Sequence, residues 1–245
     1  MKKISVILLA LVLVFSISAL VLAEASNNEA WIKQKGADND AMINQKGFVL
    51  YAFAEQNGNG NEVDIWQFGD TNRAMTEQNG TANKVFVWQD NPQAAHVAEA
   101  DITQNGDSNK AYVYQYSSML NQMVPRPKDV TVEQYGADNE ALVVQGFGGR
   151  MIASVAQFGS ENKARQYQEH AVGDNYLSAG ITQEGYSNYA RQTQWGFGNL
   201  WATIDQTGSD NVAIQIQNSP LHPKGLQTDA RIYQSGTANL ARIIQ

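Results

Sequence analysis

Nine times between Gln34 and Gln245 the chain repeats one pattern: Gln, any, Gly, any, any, Asn, any, small apolar, three of any, Gln. The units open at Gln34, Gln56, Gln78, Gln104, Gln134, Gln157, Gln183, Gln206 and Gln234. Each closes eleven residues later, at Gln45, Gln67, Gln89, Gln115, Gln145, Gln168, Gln194, Gln217 and Gln245. The third position is always glycine: Gly36, Gly58, Gly80, Gly106, Gly136, Gly159, Gly185, Gly208 and Gly236. The sixth is always asparagine: Asn39, Asn61, Asn83, Asn109, Asn139, Asn162, Asn188, Asn211 and Asn239. Self-similarity every 22 to 30 residues means a stacked array, in which each unit is one supersecondary element unable to bury a core alone.

Set in register, positions of one parity barely vary while those of the other vary freely, which is the signature of a strand with one buried face. Four residues before the opening Gln the column reads Ala30, Ala52, Ala74, Ala100, Val130, Ala153, Ala179, Ala202, Ala230. Two before, it reads Ile32, Ala54, Thr76, Ile102, Val132, Val155, Ile181, Ile204, Ile232. Both columns are expected to point inward, and the same alternation resumes after the Gly-x-x-Asn corner. The column two before the closing Gln is aliphatic except at Gln166, Gln192 and Gln215, which a core tolerates only if stacked amides satisfy one another. The invariant glycine suits a corner needing positive φ.

Each unit is thus strand, four-residue corner, strand. The distance across the corner is constant, whereas the gap from one closing Gln to the next opening Gln runs from 11 to 19 residues. All insertions therefore leave at one edge, over residues 90–97, 116–129, 169–178 and 218–228. Pro125, Pro127, Pro220 and Pro223 in them suit loops that block lateral strand addition and so limit side-to-side bundling. The expected fold is all-β: a β-solenoid of nine strand-turn-strand repeats with two facing parallel sheets. Rungs stacked at about 4.8 Å make it near 40 Å tall, with sheets roughly 10 Å apart. Stacking sets each Gln and Asn above its counterpart, where side-chain amides donate and accept along the axis as in cross-β assemblies.

Lys2 and Lys3 precede an apolar run over residues 4–22, followed by small residues at Ala23 and Ala25, the layout of a cleaved secretory signal peptide. An uncleaved membrane anchor is the other reading of that run. The expected organisation is a signal peptide over residues 1–23, a short segment over 24–29, and the nine-repeat solenoid over 30–245. The chain has 24 acidic against 17 basic residues, two of the latter in the leader, which argues against nucleic acid as a partner. Cysteine is absent, so packing and hydrogen bonding alone hold an exported chain. Monomeric solenoids close their ends with atypical capping repeats; here the motif runs to Gln245 and begins close behind the leader, so either end is expected to accept another copy in register.

The motif resembles the curlin repeat of bacterial curli fibre subunits, which Gln34, Gly36, Asn39, Ala41 and Gln45 match position for position. The resemblance implies an exported subunit, initially unfolded, that crosses an outer-membrane pore and polymerises with itself at the cell surface into functional amyloid of the biofilm matrix. It implies a nucleator subunit as a further partner. The chain departs from the family at the serine six residues before the opening Gln, where Asn28, Leu50, Asn72 and Ala98 stand in the first four units. It also has a shorter segment ahead of the first repeat, where family members carry the address for the pore.

Other constellations carry less. His96, His170 and His222 lie in the insertions without metal-ligand spacing, and read as solvated loop residues. Asp64, Arg165, Arg191 and Arg242 face outward but are scattered over rungs, unlike an acid–base site. The outward column before the opening Gln is mostly charged, with Lys33, Glu55, Glu77 and Glu133, which excludes the flat threonine array of an ice-binding solenoid. The outward aromatics Trp66, Trp88, Tyr114 and Tyr167, just ahead of the closing Gln, could bind glycans or host surfaces or bundle filaments. Cross-strand stacking that favours strand formation explains them equally simply. The expected function is a secreted, non-enzymatic structural subunit without cofactor or metal, assembling end to end for matrix formation and adhesion. A monomeric adhesin or carbohydrate-binding module is the alternative.

Overall fold

The computed structural model describes residues 8–13, 18–24, 27–92, 97–117, 127–147, 149–170, 176–196, 198–219 and 227–245. Its strands come in pairs, one pair per rung. The apolar N-terminal segment holds β1 (Leu8–Leu13) and β2 (Ser18–Glu24), and the first motif unit holds β3 (Glu29–Lys35) and β4 (Asp40–Phe48). Then follow β5 (Tyr51–Asn59) and β6 (Glu62–Asp70), β7 (Asn72–Thr81) and β8 (Lys84–Asn91), β9 (Ala98–Asp107) and β10 (Lys110–Tyr116). The middle units are β11 (Lys128–Ala137) and β12 (Glu140–Phe147), β13 (Arg150–Ser160) and β14 (Lys163–His170). The last are β15 (Tyr176–Tyr186) and β16 (Tyr189–Gly196), β17 (Asn199–Ser209) and β18 (Val212–Ser219), β19 (Gln227–Thr237) and β20 (Leu240–Ile244).

All odd strands form one ten-stranded sheet and all even strands the other, in chain order. Every pairing is parallel and keeps the motif in register: Gln34 pairs with Gln56, Gln56 with Gln78, Gln45 with Gln67. A one-residue slip would turn every core side chain outward, so the alternating pattern pins this register. Both aliphatic columns ahead of the opening Gln are buried from the first unit to the last, facing Ala41, Ile43, Val63, Ile65 and their equivalents from the other sheet. The chain is an all-β parallel solenoid with a narrow Ala/Val/Ile core.

Three details differ from the sequence reading. The corner is tighter: in most rungs the first strand continues past the glycine, as where Gly58 pairs with Gly80, and only Gly60 and Asn61 separate β5 from β6. The insertions are shorter, because Asp90, Asn91, Lys128, Asp129, Glu169, His170, Tyr176, Leu177 and Ser178 prolong the strands by cross-rung pairing. Asn218, Ser219, Gln227 and Thr228 do likewise. His170 therefore ends a strand and is no loop residue, while His96 and His222 lie outside the described residues, as do Pro125, Pro220 and Pro223. Finally, β1 lies on β3 and β2 on β4, each parallel, so the apolar leader occupies the place of one more rung ahead of the first motif unit.

Candidate functional site

Amide side chains line both ends of each rung. In the opening column each Gln donates from Nε2 to Oε1 of the Gln one rung later, an unbroken ladder from Gln34 to Gln234 at 2.7 to 3.0 Å. The closing column does the same from Gln45 to Gln245 at 2.8 to 3.2 Å. The second Nε2 hydrogen crosses to the facing sheet: Gln56 donates to the Asp40 carbonyl at 2.9 Å, and Gln45 to the Glu29 carbonyl at 3.1 Å. Between the end rungs each amide thus uses two donors and one acceptor, closing the narrow core at both edges where an apolar side chain would strand backbone carbonyls. The first acceptors, Gln34 Oε1 and Gln45 Oε1, are buried without a partner among the described residues.

The asparagine ladder runs the other way. Asn61 donates from Nδ2 to Asn39 Oδ1 at 3.2 Å, and its backbone N–H reaches the same oxygen at 3.0 Å. This repeats rung by rung until Asn239 donates to Asn211 at 2.9 Å. The remaining Nδ2 hydrogen reaches forward to a motif glycine carbonyl, as from Asn61 to Gly80 at 3.0 Å. Those glycines are required by space as well as conformation. At Gly58, φ is +127°, and a Cβ would fall 1.9 Å from the Gly80 carbonyl oxygen.

Gln166, Gln192 and Gln215 make a fourth, short ladder, linked at 3.0 Å per step, with Gln166 and Gln192 also donating to the Ser154 and Gly180 carbonyls. Its ends meet aliphatic neighbours, Val143 and Ile243, and leave Gln166 Oε1 and Gln215 Nε2 without partners among the described residues.

A further inward column escaped the sequence reading. The positions six before the opening Gln, from Asn28 and Leu50 to Met151, Leu177 and Leu200, are buried at the insertion edge. Met151, Leu177 and Leu200 form a separate small cluster there. The signal was available: the strand alternation, extended two residues upstream, selects this column. Lys128 stands in it between Ala98 and Met151, 3 % exposed, with its Nζ donating to the Tyr116 carbonyl. Burial pushes its ammonium down to about 7.

Both outer faces mix charge with rings. On the odd-strand sheet ion pairs such as Lys33–Glu55 at 2.6 Å and Arg73–Glu99 at 2.7 Å link neighbouring rungs, and the Arg73 guanidinium lies over the Tyr51 ring. The even-strand sheet carries the Lys84–Glu62 pair and the larger aromatic stacks. Trp66 and Trp88 stack at 6.0 Å and 18°, Phe68 leans on Trp88 at 5.1 Å, and Phe86 on Tyr114 at 5.4 Å. Tyr167 is set apart: Val144 stands between it and Tyr114, and its ring lies under the Arg191 guanidinium at 5.8 Å. Asp64, beside Trp66 on this face, has its carboxyl pushed above the usual range by burial and by Glu62 and Asp40. Asp64, Arg165, Arg191 and Arg242 occupy four different strands of that sheet.

A surface recess of about 420 Å³ runs along the corners from Ser108 to Tyr189 between Lys110, Glu140 and Lys163. Its charges alternate along the stack, the arrangement of ion pairs between rungs. Among the described residues no group of three or more His, Asp or Glu could hold a metal ion.

A parallel two-sheet solenoid, closed at both edges by amide ladders and built from one recurring rung, is a structural repeat protein. Its repeats are similar to the family described as the Curlin associated repeat, over residues 36–69 and 98–120, within the first, second and fourth units. Those two stretches carry the curlin-associated repeat, and the same motif continues through the units outside them. No curated protein matches it.

Proposed function

We propose that this curli-like structural subunit is exported and polymerises by stacking rungs of one copy on another, giving an extracellular amyloid fibre that serves matrix formation and adhesion. The observation that carries the proposal is the translational identity of the rungs. Three amide ladders pass through all nine units with unchanged partners, so a rung from a second copy meets the bonds that a rung of the same chain meets. Residues 1–23 are removed as a signal peptide in this reading, which frees the edge of β3 and β4 on which β1 and β2 lie. An outer-membrane pore and a nucleator subunit are the partners that the curlin class brings with it.

Purified protein beginning at Glu24 tests the reading. Delayed, seedable growth of thioflavin-positive fibres with a diffraction spacing of about 4.8 Å along the axis is expected. A chain that stays monomeric by light scattering for days, seeded or not, overturns it. The stacked Trp66 and Trp88 favour one second reading, a monomeric glycan-binding adhesin, to which that outcome would point.

A further inference from the structure

The strands β1 and β2 lie on the edge of β3 and β4 as an extra rung, and their sequence fits that place at some columns but not at others. The register sets Leu8 and Ala10 opposite the core residues Ala30 and Ile32, and Ala19 and Val21 opposite Ala41 and Ile43. Val21 packs against the core cluster, while Leu20 and Leu22 on either side of it are exposed. This rung buries the first motif unit as an interior unit is buried: Ala41, Ile43 and Gln45 are at most 1 % exposed. Their equivalents in the last unit, Ala241, Ile243 and Gln245, are not buried. At the amide columns the match fails. Val12 stands opposite Gln34 and Ala23 opposite Gln45, and neither residue has an amide to give. In later rungs the glutamine oxygen accepts from the rung before it, as Gln56 Oε1 does from Gln34 and Gln67 Oε1 from Gln45. Gln34 Oε1 and Gln45 Oε1 are instead buried without a partner among the described residues. A bare tip would leave both oxygens to water; under the leader they have neither water nor a donor.

We infer that the leader is an intramolecular cap: while residues 1–23 stay attached, they occupy the edge on which a second copy stacks, and their removal opens it. The inference rests on the end-to-end stacking proposed above. The mismatch gives the cap two properties. A rung laid against β1 and β2 finds Val12 and Ala23 where two ladders need amides, so a capped tip cannot pass those ladders on. The cap is also a poor competitor, because it leaves two buried acceptors unpaired where a rung of a second copy brings glutamine to both places. What holds it is the tether. Only residues 25–28 separate β2 from β3, so the leader is present at the edge at a high effective concentration that no free copy matches. The opposite tip stays open, with Leu240, Ile244 and Gln245 exposed. A chain that keeps its leader can therefore join a fibre by its last rung, after which the fibre ends there. Fibres begun before export are cut short.

Two chains test it, the full chain and one beginning at Glu24. Hydrogen exchange on the freshly folded monomers reads the docking alone. The backbone amides of β3 and β4 that point toward β1 and β2 should exchange about tenfold or more slowly in the full chain. Ala10→Pro with Val21→Pro keeps the leader apolar but breaks its strands, and should abolish the difference. Val12→Gln with Ala23→Gln supplies both missing donors, and should slow exchange by about a further tenfold. Fluorescently labelled seeds then read the tips. A substoichiometric amount of full chain, added to the Glu24 chain, should stop growth at one tip and leave the other tip's rate unchanged. The double-proline leader should stop neither. Equal exchange in the two chains overturns the inference. So does a full chain that elongates both tips as fast as the Glu24 chain, or one that slows both tips alike, which would make the leader merely a sticky segment. If the Glu24 chain forms no fibre, the stacking reading has failed, and the exchange data alone decide whether the leader covers the edge.

Discussion

Gly58 and Gly60 stand two residues apart in one corner, yet substitution should treat them oppositely. A Cβ at Gly58 strikes the Gly80 carbonyl, and the neighbouring rung cannot retreat without breaking its own ladder. Gly58→Ala should cost roughly 2 to 4 kcal/mol, read as a lowered urea midpoint. Gly60 has φ +63° with open space around it, and Asp38, Asp138 and Asp210 hold the equivalent place at φ 55°. Gly60→Asp should therefore be neutral or stabilise by up to about 1 kcal/mol. Lys128 carries a pH dependence. Its ammonium titrates near 10.5 when unfolded and about 7 in the fold. Between those values the unfolded chain holds more protons, so stability rises with pH from about 7 to about 10.5, by up to roughly 5 kcal/mol. Below pH 7 both states are protonated and this contribution is level. Lys128→Met, matching Met151 on the next strand, should remove the slope and stabilise the protein more at pH 7 than at pH 9.5. Urea melts at the two pH values check both.

Among elements, the short Gln166–Gln192–Gln215 ladder is the place where neighbours act as a unit. Gln192→Leu alone strands both flanking amides and should destabilise by roughly 1 to 3 kcal/mol. Replacing all three by Val, Val and Ile continues the aliphatic column and removes the two unpartnered end atoms, so the triple variant should be at least as stable as the parent. Thermal melts of the single and triple variants decide it. The strands that carry this column were legible because alternation with a period of two has one inward solution: Ala52 and Ala54, then Gln56. The insertion-edge column was not. It holds Asn28, Leu50, Asn72 and Lys128 as well as Met151, and a column that varies in polarity looks like a solvated one when read without the fold. The loop limits were missed for a related reason, since Asp90, Lys128 and His170 join strands through backbone bonds to neighbouring rungs, to which side-chain chemistry is indifferent. Nor does spacing alone reveal that the residue in the left-handed region is Asp38 or Ala82, two places after the motif glycine.

At the scale of the molecule, each rung touches the ones before and after it, so length should be adjustable in whole units. Deleting residues 56–77, one period, joins Glu55 to Gln78 and keeps every column in phase. The shortened chain should fold, with a smaller urea m-value in proportion to the lost rung. Deleting only residues 56–66 feeds one sheet's strand into the other's place and should leave the chain unfolded by circular dichroism. The ladders add a property that no single rung has. Glutamines donate toward later rungs and asparagines toward earlier ones, throughout the stack. Their dipoles partly offset, but their handshakes do not commute: a rung laid upside down would offer hydrogens to hydrogens and lone pairs to lone pairs. The stack therefore carries an arrow. Any fibre made from it is a one-way street, with two tips that differ in chemistry and so in the rate at which they grow.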